Sequence, residues 1–443
     1  MSDHLPQELL EEILSRLPVK SILICRCVSK TWYSLITNPS FIAHHLKKTA
    51  ARNSGLLFFS YCKTEPCPPY RNNESYLLYP DELFANPVEE LDCPCKGFKG
   101  LFDIVGSCNG VFCLSYGYYA PALWNPSVRK IVNIPRPNVT FTSHGFHKHS
   151  HGFGFDSSTG DYKLVRIVYL PDSNFNFDKI PPLVEIYSLR SRGWRKVDND
   201  LKCVIPDFST SAFLNGTCHW VATKPPNGPG VCDAILSFSL GDEVFGEMEV
   251  PDCLAKKYHY INVAVSDGSL LLVAFTETTE ERCFSVWMMK EYGVPGSWTK
   301  LFNISHLANI RRFIAFRQSG EALLVNRGEE LFFYDPKTEE FSHTEIWGTP
   351  SSFYLDTLVE SLVLLDEPNE FAEEEPSEDD GSSGVSNENS SSPDGVDMDL
   401  QKNNEGNQNA NSPIILNEAN EILEEVASTS NSQMAIDKAN EEA

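Results

Sequence analysis

Two hydrophobic periodicities divide the chain. Over residues 5–48 apolar positions recur at helical spacing: Leu9, Leu10, Ile13, Leu14 and Leu17 form one stripe, with Glu8, Glu11, Glu12 and Arg16 opposite. Pro18 ends that helix. Ser21 is placed to cap a second helix through Ile22, Leu23 and Ile24, and Ser29 a third in which Trp32, Leu35 and Ile36 share a face. Asn38-Pro39 interrupts the pattern, and residues 40–48 predict a fourth short helix. A unit this small buries too little apolar surface to stand alone and needs a partner, either the rest of the chain or another protein.

From residue 54 to 367 the period changes. Short β-rich runs alternate with Gly, Pro, Asn and Asp turns, and no long helical stripe appears. One theme returns as 121–135, 184–198, 234–251, 283–304 and 330–346. Its aromatic landmarks Trp124, Tyr187, Phe238, Trp287 and Tyr334 are spaced 63, 51, 49 and 47 residues apart. That interval is the sign of a propeller blade, a four-stranded sheet that cannot bury both faces alone. Each landmark hairpin follows its own inner strand pair, in which Asn109-Gly110, Asn215-Gly216, Asp267-Gly268 and Ser319-Gly320 supply tight-turn residues. This gives five blades. The leftover runs 54–62, 75–80 and 352–365 can pair into a sixth, which would close the ring and remove free sheet edges. A large open β-sandwich is the alternative.

Composition adds a third segment. The formal charge is −25, but residues from Pro368 onward hold 19 acidic and 2 basic side chains, leaving −8 for residues 1–367. A polar acidic tail over 368–443 cannot offset its ordering entropy and is expected to be disordered, with one amphipathic island at 413–428. No basic face exists to hold a phosphate backbone, so nucleic acid is not an expected partner. No secretory leader and no apolar run long enough for a membrane span are seen. The 13 cysteines are scattered, without the spacing of zinc or redox sites, and are read as reduced thiols of an intracellular protein, in cytoplasm or nucleus.

The N-terminal string resembles an F-box of the plant type. The carrying residues are Leu5-Pro6, the run Ile13-Leu14-Ser15-Arg16-Leu17-Pro18-Val19-Lys20-Ser21, and Cys27-Val28-Ser29-Lys30-Thr31-Trp32. Ile24 and Cys25 depart from the commonest pattern, which often has Arg and a bulky apolar residue there. The β-rich region resembles the F-box-associated domain through Gly106-Ser107-Cys108-Asn109-Gly110, Leu123-Trp124-Asn125-Pro126, Gly152-Phe153-Gly154-Phe155-Asp156 and Asp161-Tyr162-Lys163-Leu164-Val165. The expected fold is a small all-α F-box (1–48), an all-β domain forming a six-bladed β-propeller (54–367) and the acidic tail (368–443). The resemblance implies the substrate receptor of an SCF-type ubiquitin ligase: a Skp-type adaptor bound by the F-box, cullin and RING subunits reached through it, and a target protein held by the propeller. It implies adaptor contacts at Leu5, Pro6, Leu9, Ile13, Leu14, Leu17, Pro18, Val19, Ser21, Val28 and Trp32. Leu5, Pro6, Leu17 and Pro18 are preferred as a rigid apolar ridge, because Leu14, Val28 and Trp32 can instead form the F-box's own core.

Candidate chemistry changes little. His144, His147, His149 and His151 invite a metal reading, but their Gly/Ser/Lys-rich context without nearby carboxylates reads as a solvated loop leading into a strand. No G-x-S-x-G, H-E-x-x-H or Walker-type loop occurs. Cys218 and His219 alternate across a strand and cannot form a dyad. No enzyme activity, metal or cofactor is expected; the alternative function is a lectin-like or scaffold propeller whose F-box serves assembly without ubiquitin transfer. Target-binding residues are not readable, although the longer connections 63–75, 136–150, 171–183 and 224–233 are the candidates.

Overall fold

The computed structural model describes residues 6–52, 55–64, 72–80, 84, 86–93, 103–115, 120–207, 209–224, 234–251, 253–254, 260–277, 282–305, 310–317 and 319–368. Leu5, the expected tail beyond Pro368 and the island at 413–428 lie outside the described residues. Among the described residues, no helix is long and apolar enough to cross a membrane.

Four helices open the chain: α1 (Gln7–Leu14), α2 (Val19–Cys25), α3 (Lys30–Ile36) and α4 (Pro39–Arg52). α1 stops short of the expected Leu17, because Arg16 and Leu17 turn back onto Ile13 and Leu14 through tighter three-residue hydrogen bonds. Ser29 caps α3 as expected, its hydroxyl accepting the Trp32 N–H at 3.2 Å. Ser21 caps nothing: α2 begins directly after Pro18, and Ser21 lies inside it. The Val19 N–H instead meets the carboxylate of Glu360, far along the chain. Pro39 opens α4 rather than merely closing α3, since a first helical residue has no use for an N–H. Asn38 Oδ1 accepts the Ser40 N–H at 2.8 Å, and the helix runs on to Arg52.

The strands then begin. β1 (Leu56–Thr64), β2 (Asn72–Pro80) and β3 (Glu89–Glu90) form three strands of an incomplete sheet. Blade 1 follows as β4 (Asp103–Cys108), β5 (Val111–Ser115), β6 (Ala122–Asn125) and β7 (Lys130–Asn133). Blade 2 is β8 (Lys148–Asp156), β9 (Asp161–Tyr169), β10 (Leu183–Ser188) and β11 (Gly193–Val197). Blade 3 is β12 (Ala212–Leu214), β13 (Thr217–Ala222), β14 (Ala234–Ser239) and β15 (Phe245–Glu249). Blade 4 is β16 (Tyr260–Ser266), β17 (Ser269–Glu277), β18 (Arg282–Met289) and β19 (Trp298–Ser305). Blade 5 is β20 (Ile310–Phe316), β21 (Ala322–Asn326), β22 (Glu330–Asp335) and β23 (Glu340–Trp347). Last comes β24 (Tyr354–Thr357), which pairs antiparallel with β1, Leu57 opposite Thr357 and Ser60 opposite Tyr354. The sixth sheet, ordered β24-β1-β2-β3, joins both ends of the ring as the sequence predicts.

Each of the six seams between neighbouring blades carries its own apolar cluster. The five aromatic landmarks all fall on the third strand of a blade, and Trp124, Tyr187 and Phe238 are fully buried there. Fully burying one such side chain contributes roughly 2–3 kcal/mol. At the closing seam Phe58 and Phe112 pack with tilted rings, centroids 4.1 Å apart. Side chains of blade 3 press onto β8, and this accounts for Gly152: a Cβ there would lie 2.4 Å from the Trp220 ring.

Residues 358–368 form no strand after β24; they run as a strap beneath blade 1. Asn125, fully buried, donates its amide to Ser361 O (3.1 Å), Ser361 Oγ (3.0 Å) and Val363 O (2.8 Å), and Lys130 Nζ reaches Glu367 O at 2.8 Å. Leu362 and Leu365 of the strap, with Val128, share one core with Leu14, Val19, Ile22, Ile36 and Phe41. The helices are therefore packed on the ring through the strap. Gly110 marks how closely it passes: φ is +77°, and an added Cβ would meet Val359 O at 2.1 Å. Gly110→Ala is expected to lower stability by about 1–3 kcal/mol and to expose 358–368 to protease, as read by denaturant unfolding and limited proteolysis.

Candidate partner-binding surfaces

The apolar stripe of the first helix is split in two by the fold. Leu14 and Val19 are 1% exposed, within the core shared with the ring. Leu10, Leu17 and Trp32 are half-buried against the same core, and Ser21 is half-buried within α2. Pro6, Pro18 and Val28 are exposed, and Leu9 and Ile13 stand 54% and 50% exposed. Beside them Ile24 is 68% exposed and Tyr33 50%, neither of which sequence reading placed in the contact set. A period of 3.6 residues makes 9 and 13 neighbours on one line, and 10, 14 and 17 on the next. The sequence shows the stripe; only packing shows which half is covered.

Polar ties hold that edge in place. The fully buried His45 lies with Nε2 2.9 Å from Leu17 O, and Lys48 bridges Glu12 and Ser15 from α4 to α1. Lys48 first, then Arg16, pull the Glu12 carboxyl down to about 2.

Strand order then decides where a second surface lies. In every blade the first-to-second and third-to-fourth turns share one end, while second-to-third loops and blade-to-blade links share the other. The first end carries tight turns, with Asn109, Gly110, Asn215, Gly216, Asp267 and Gly268 all at positive φ as hairpins of this kind need. The helices and strap sit on this end, because Gly110 and Val128 belong to such turns. The connections 63–75, 136–150, 171–183 and 224–233 all join strand ends at the opposite end, though 65–71 and 225–233 lie outside the described residues.

One of these connections is pinned by a buried charge network. Arg166 on β9 and Glu185 on β10 face each other across the strand pair, both buried. Glu185 accepts from Arg166 Nη1 (3.1 Å) and from the N–H groups of Asn138 (3.0 Å) and Val139 (3.2 Å). Arg166 also donates to Val139 O at 2.7 Å, and its other amino group to His147 Nε2 at 2.9 Å. The His147 Nδ1–H then donates to Gly145 O at 2.9 Å, which requires the neutral ring. Sequence reading missed this network. Its signal was Arg166 among Leu164, Val165, Ile167 and Val168 on β9, and Glu185 among Val184 and Ile186 on β10.

The histidines are not the solvated loop expected of them. β8 begins at Lys148, so alternation aligns His147, His149 and His151, with ring centroids 5.8 and 4.8 Å apart. Only His144, ending the short helix α5 (Phe141–His144), is exposed. Among the described residues no group of three or more His, Cys, Asp or Glu could hold a metal ion. Burial, ahead of the nearby Arg166, pushes His147 below its ordinary value; the same causes take His149 down to about 3. Their folded values thus lie below the unfolded one of ~6.5, so the stability they contribute is full above that pH and is lost as pH falls toward the folded values. Acidifying from about pH 7 to about pH 5 is expected to lower the thermal midpoint of the wild type more than that of His147→Gln/His149→Gln.

Comparison with known proteins agrees with this geometry. Residues 2–44 match the model of the F-box domain, and residues 87–352 that of the F-box associated beta propeller domain. The two define a helical docking module joined to a β-propeller. The chain belongs to the family of F-box proteins with an F-box associated beta propeller domain. It is similar to the F-box protein CPR1 of Arabidopsis thaliana, 27% identical over 385 residues covering 81% of this chain and 89% of the relative. The F-box/kelch-repeat protein At3g23880 of the same plant is 28% identical over 371 residues, covering 80% and 95%. Among solved structures, an oligogalacturonate lyase from Vibrio parahaemolyticus reaches a TM-score of 0.36 at 11% identity, covering 65% of this chain and 78% of that one. Nothing is carried over from it. In general terms, family membership carries the role of substrate receptor in SCF-type ubiquitin ligases.

Proposed function

We propose that this chain recruits a target protein for ubiquitination: the exposed apolar edge of the F-box binds a Skp-type adaptor, and the end of the propeller remote from the F-box holds the target. The observation that carries the reading is the division of the helical stripe. Leu10, Leu14 and Leu17 on its inner half pack into the core shared with the ring, while Leu9 and Ile13 on its outer half, with Pro6, Pro18 and Val28 outside the helix, stay exposed. Large apolar side chains left uncovered near one another are the mark of a partner-binding surface. Leu5, preceding Pro6 in the chain, belongs to the same proposed edge, whereas Leu14 and Val19 act as its support.

The chemistry of transfer is supplied by the cullin-bound RING subunit and its charged conjugating enzyme. This chain contributes proximity: a lysine held near a thioester reacts at a high effective concentration. The strap serves that purpose, because Asn125, Glu360 and the shared core tie the F-box to the ring.

Affinity purification with and without cullin and proteasome inhibition tests the reading. The adaptor is expected in both samples, and the target is expected to accumulate, modified or intact, when degradation is blocked. Leu5→Ala with Pro6→Ala is expected to lose the adaptor while the propeller stays folded. Undiminished adaptor capture by that double variant at matched expression would count against the assignment.

A further inference from the structure

The end of the ring remote from the F-box carries one built feature that packing alone does not explain. Loop 171–183 between β9 and β10 turns sharply at Asp172, whose carboxylate accepts the N–H groups of Asn174 and Asn176, both at 2.8 Å. That turn holds Phe175 at φ +59° and leaves it 69% exposed. A bulky side chain in the left-handed region is strained, and here no buried contact offsets that strain. Next to it Phe177 meets Phe146 edge-on at 6.1 Å and lies under Lys148 Nζ at 4.4 Å. Phe146 and the exposed Phe141 come from the link pinned by Arg166, Glu185 and His147. Two rigid loops therefore display aromatic rings side by side.

A cavity of about 300 Å³ opens beside Phe177, walled by Tyr169, Ile180, Pro182 and Leu201 and rimmed by Lys179 and Lys202. Its floor is firm, because Tyr169 O–H donates to Cys203 O at 3.3 Å and accepts the Ile205 N–H at 3.2 Å. Volumes near ~300 Å³ are the lower end of ligand pockets and suit an anchoring side chain with part of its backbone. The charge at the mouth is the second, independent observation. Asp178 is bound by its neighbour Lys179 at 2.7 Å, whereas the exposed Lys202 forms no ion pair with the described residues. The charged lining residues Asp178, Lys179 and Lys202 thus sum to one positive charge, against −8 for residues 1–367 as a whole. An acidic ligand finds here an apolar slot beside an ammonium that no carboxylate among the described residues pairs.

We infer that this cavity and its aromatic rim are the target-recognition site, and that they select a short segment presenting a large apolar side chain next to a carboxylate. The apolar side chain enters between Phe177 and Ile180, and the carboxylate pairs with Lys202. Phe175 and Phe146 cover the neighbouring backbone. The inference rests on the receptor reading and names the class of segment that the receptor would grip.

The test is panning a random heptapeptide library on phage against the immobilised full-length chain. Enrichment of Phe, Leu, Ile or Trp beside Asp or Glu is expected. A labelled synthetic peptide from that pool is expected to bind Lys202→Glu about tenfold more weakly, the value of one interfacial charge pair. Phe175→Gly is expected to bind as poorly, yet to unfold no earlier than the wild type, since glycine adopts that φ freely. This second variant separates a lost contact from a lost fold. Enrichment of basic or purely polar peptides, no enrichment, or equal binding by all three proteins overturns the inference. Adaptor capture by the same proteins is scored in parallel. Intact capture without acidic-apolar binding removes this site alone, while failure of the wild type to capture an adaptor removes the receptor reading beneath it.

Discussion

Leu9→Asp combined with Ile13→Asp is expected to abolish adaptor capture, a loss of at least about a hundredfold in affinity, while leaving the fold intact. Both side chains are half-exposed and contribute little to the core beneath them. Placing two carboxylates on an apolar contact removes its burial and leaves charges to be desolvated, which together exceed the ~3 kcal/mol that a hundredfold requires. Circular dichroism and the thermal midpoint should stay close to wild type, because surface changes of this kind move stability by only about 0.5 kcal/mol. The control sits on the same helix. Leu14→Asp puts its carboxylate into the core shared with Val128, Leu362 and Leu365, and is expected to detach the F-box from the ring as well as lose the adaptor. Full adaptor binding by the Leu9/Ile13 variant would show that the adaptor docks elsewhere.

The second large effect concerns the buried charges behind the remote loops. Arg166→Met is expected to destabilise the protein by about 3–5 kcal/mol at neutral pH, because Glu185 is left without its counter-ion in a fully buried position. The variant's stability should recover in part on acidification. A lone buried carboxyl has a folded pKa above its unfolded value, so the penalty is full above the folded pKa and shrinks as pH falls through it. Adding Glu185→Gln should restore most of the loss, since the amide keeps an acceptor for the Asn138 and Val139 N–H groups without burying charge. Hydrogen exchange should locate the change in 134–147 and its neighbours on β9 and β10. An Arg166→Met variant as stable as wild type, with the loop equally protected, would remove the network from any role in holding that surface.

Much of this architecture was legible beforehand, for identifiable reasons. Ser29 before Lys30-Thr31-Trp32 is a local capping signal, and it caps. Asn109-Gly110 and Asn215-Gly216 announce hairpins because few other pairs tolerate two positive φ values in succession. The near-regular spacing of Trp124, Tyr187, Phe238, Trp287 and Tyr334 is a repeat of one structural unit, and all five occupy its third strand. The errors have equally physical causes. Ser21 looked like a cap because it precedes the apolar run Ile22-Leu23-Ile24, but α2 already begins at Val19, whose N–H is met by Glu360, over three hundred residues away. The histidine run looked solvated because its neighbours are small and polar; blade 3 packing over β8 buries it, as the Trp220 Nε1–H donating to His151 O at 2.9 Å attests.

By itself the sequence determined what depends on near neighbours and on repetition. That covers four short helices, strands and turns of one recurring blade, and leftover runs at the two ends of the β-rich region that could share a sheet. Tertiary structure alone decided which half of the helical stripe is covered, that the strap at 358–368 locks the helices to the ring, and that Arg166 and Glu185 stabilise loops at the opposite end. Periodicity specifies a face only relative to its own element. Which element covers that face, and which buried charge finds its partner, depends on contacts between residues far apart in the chain, and those exist only once the ring has closed.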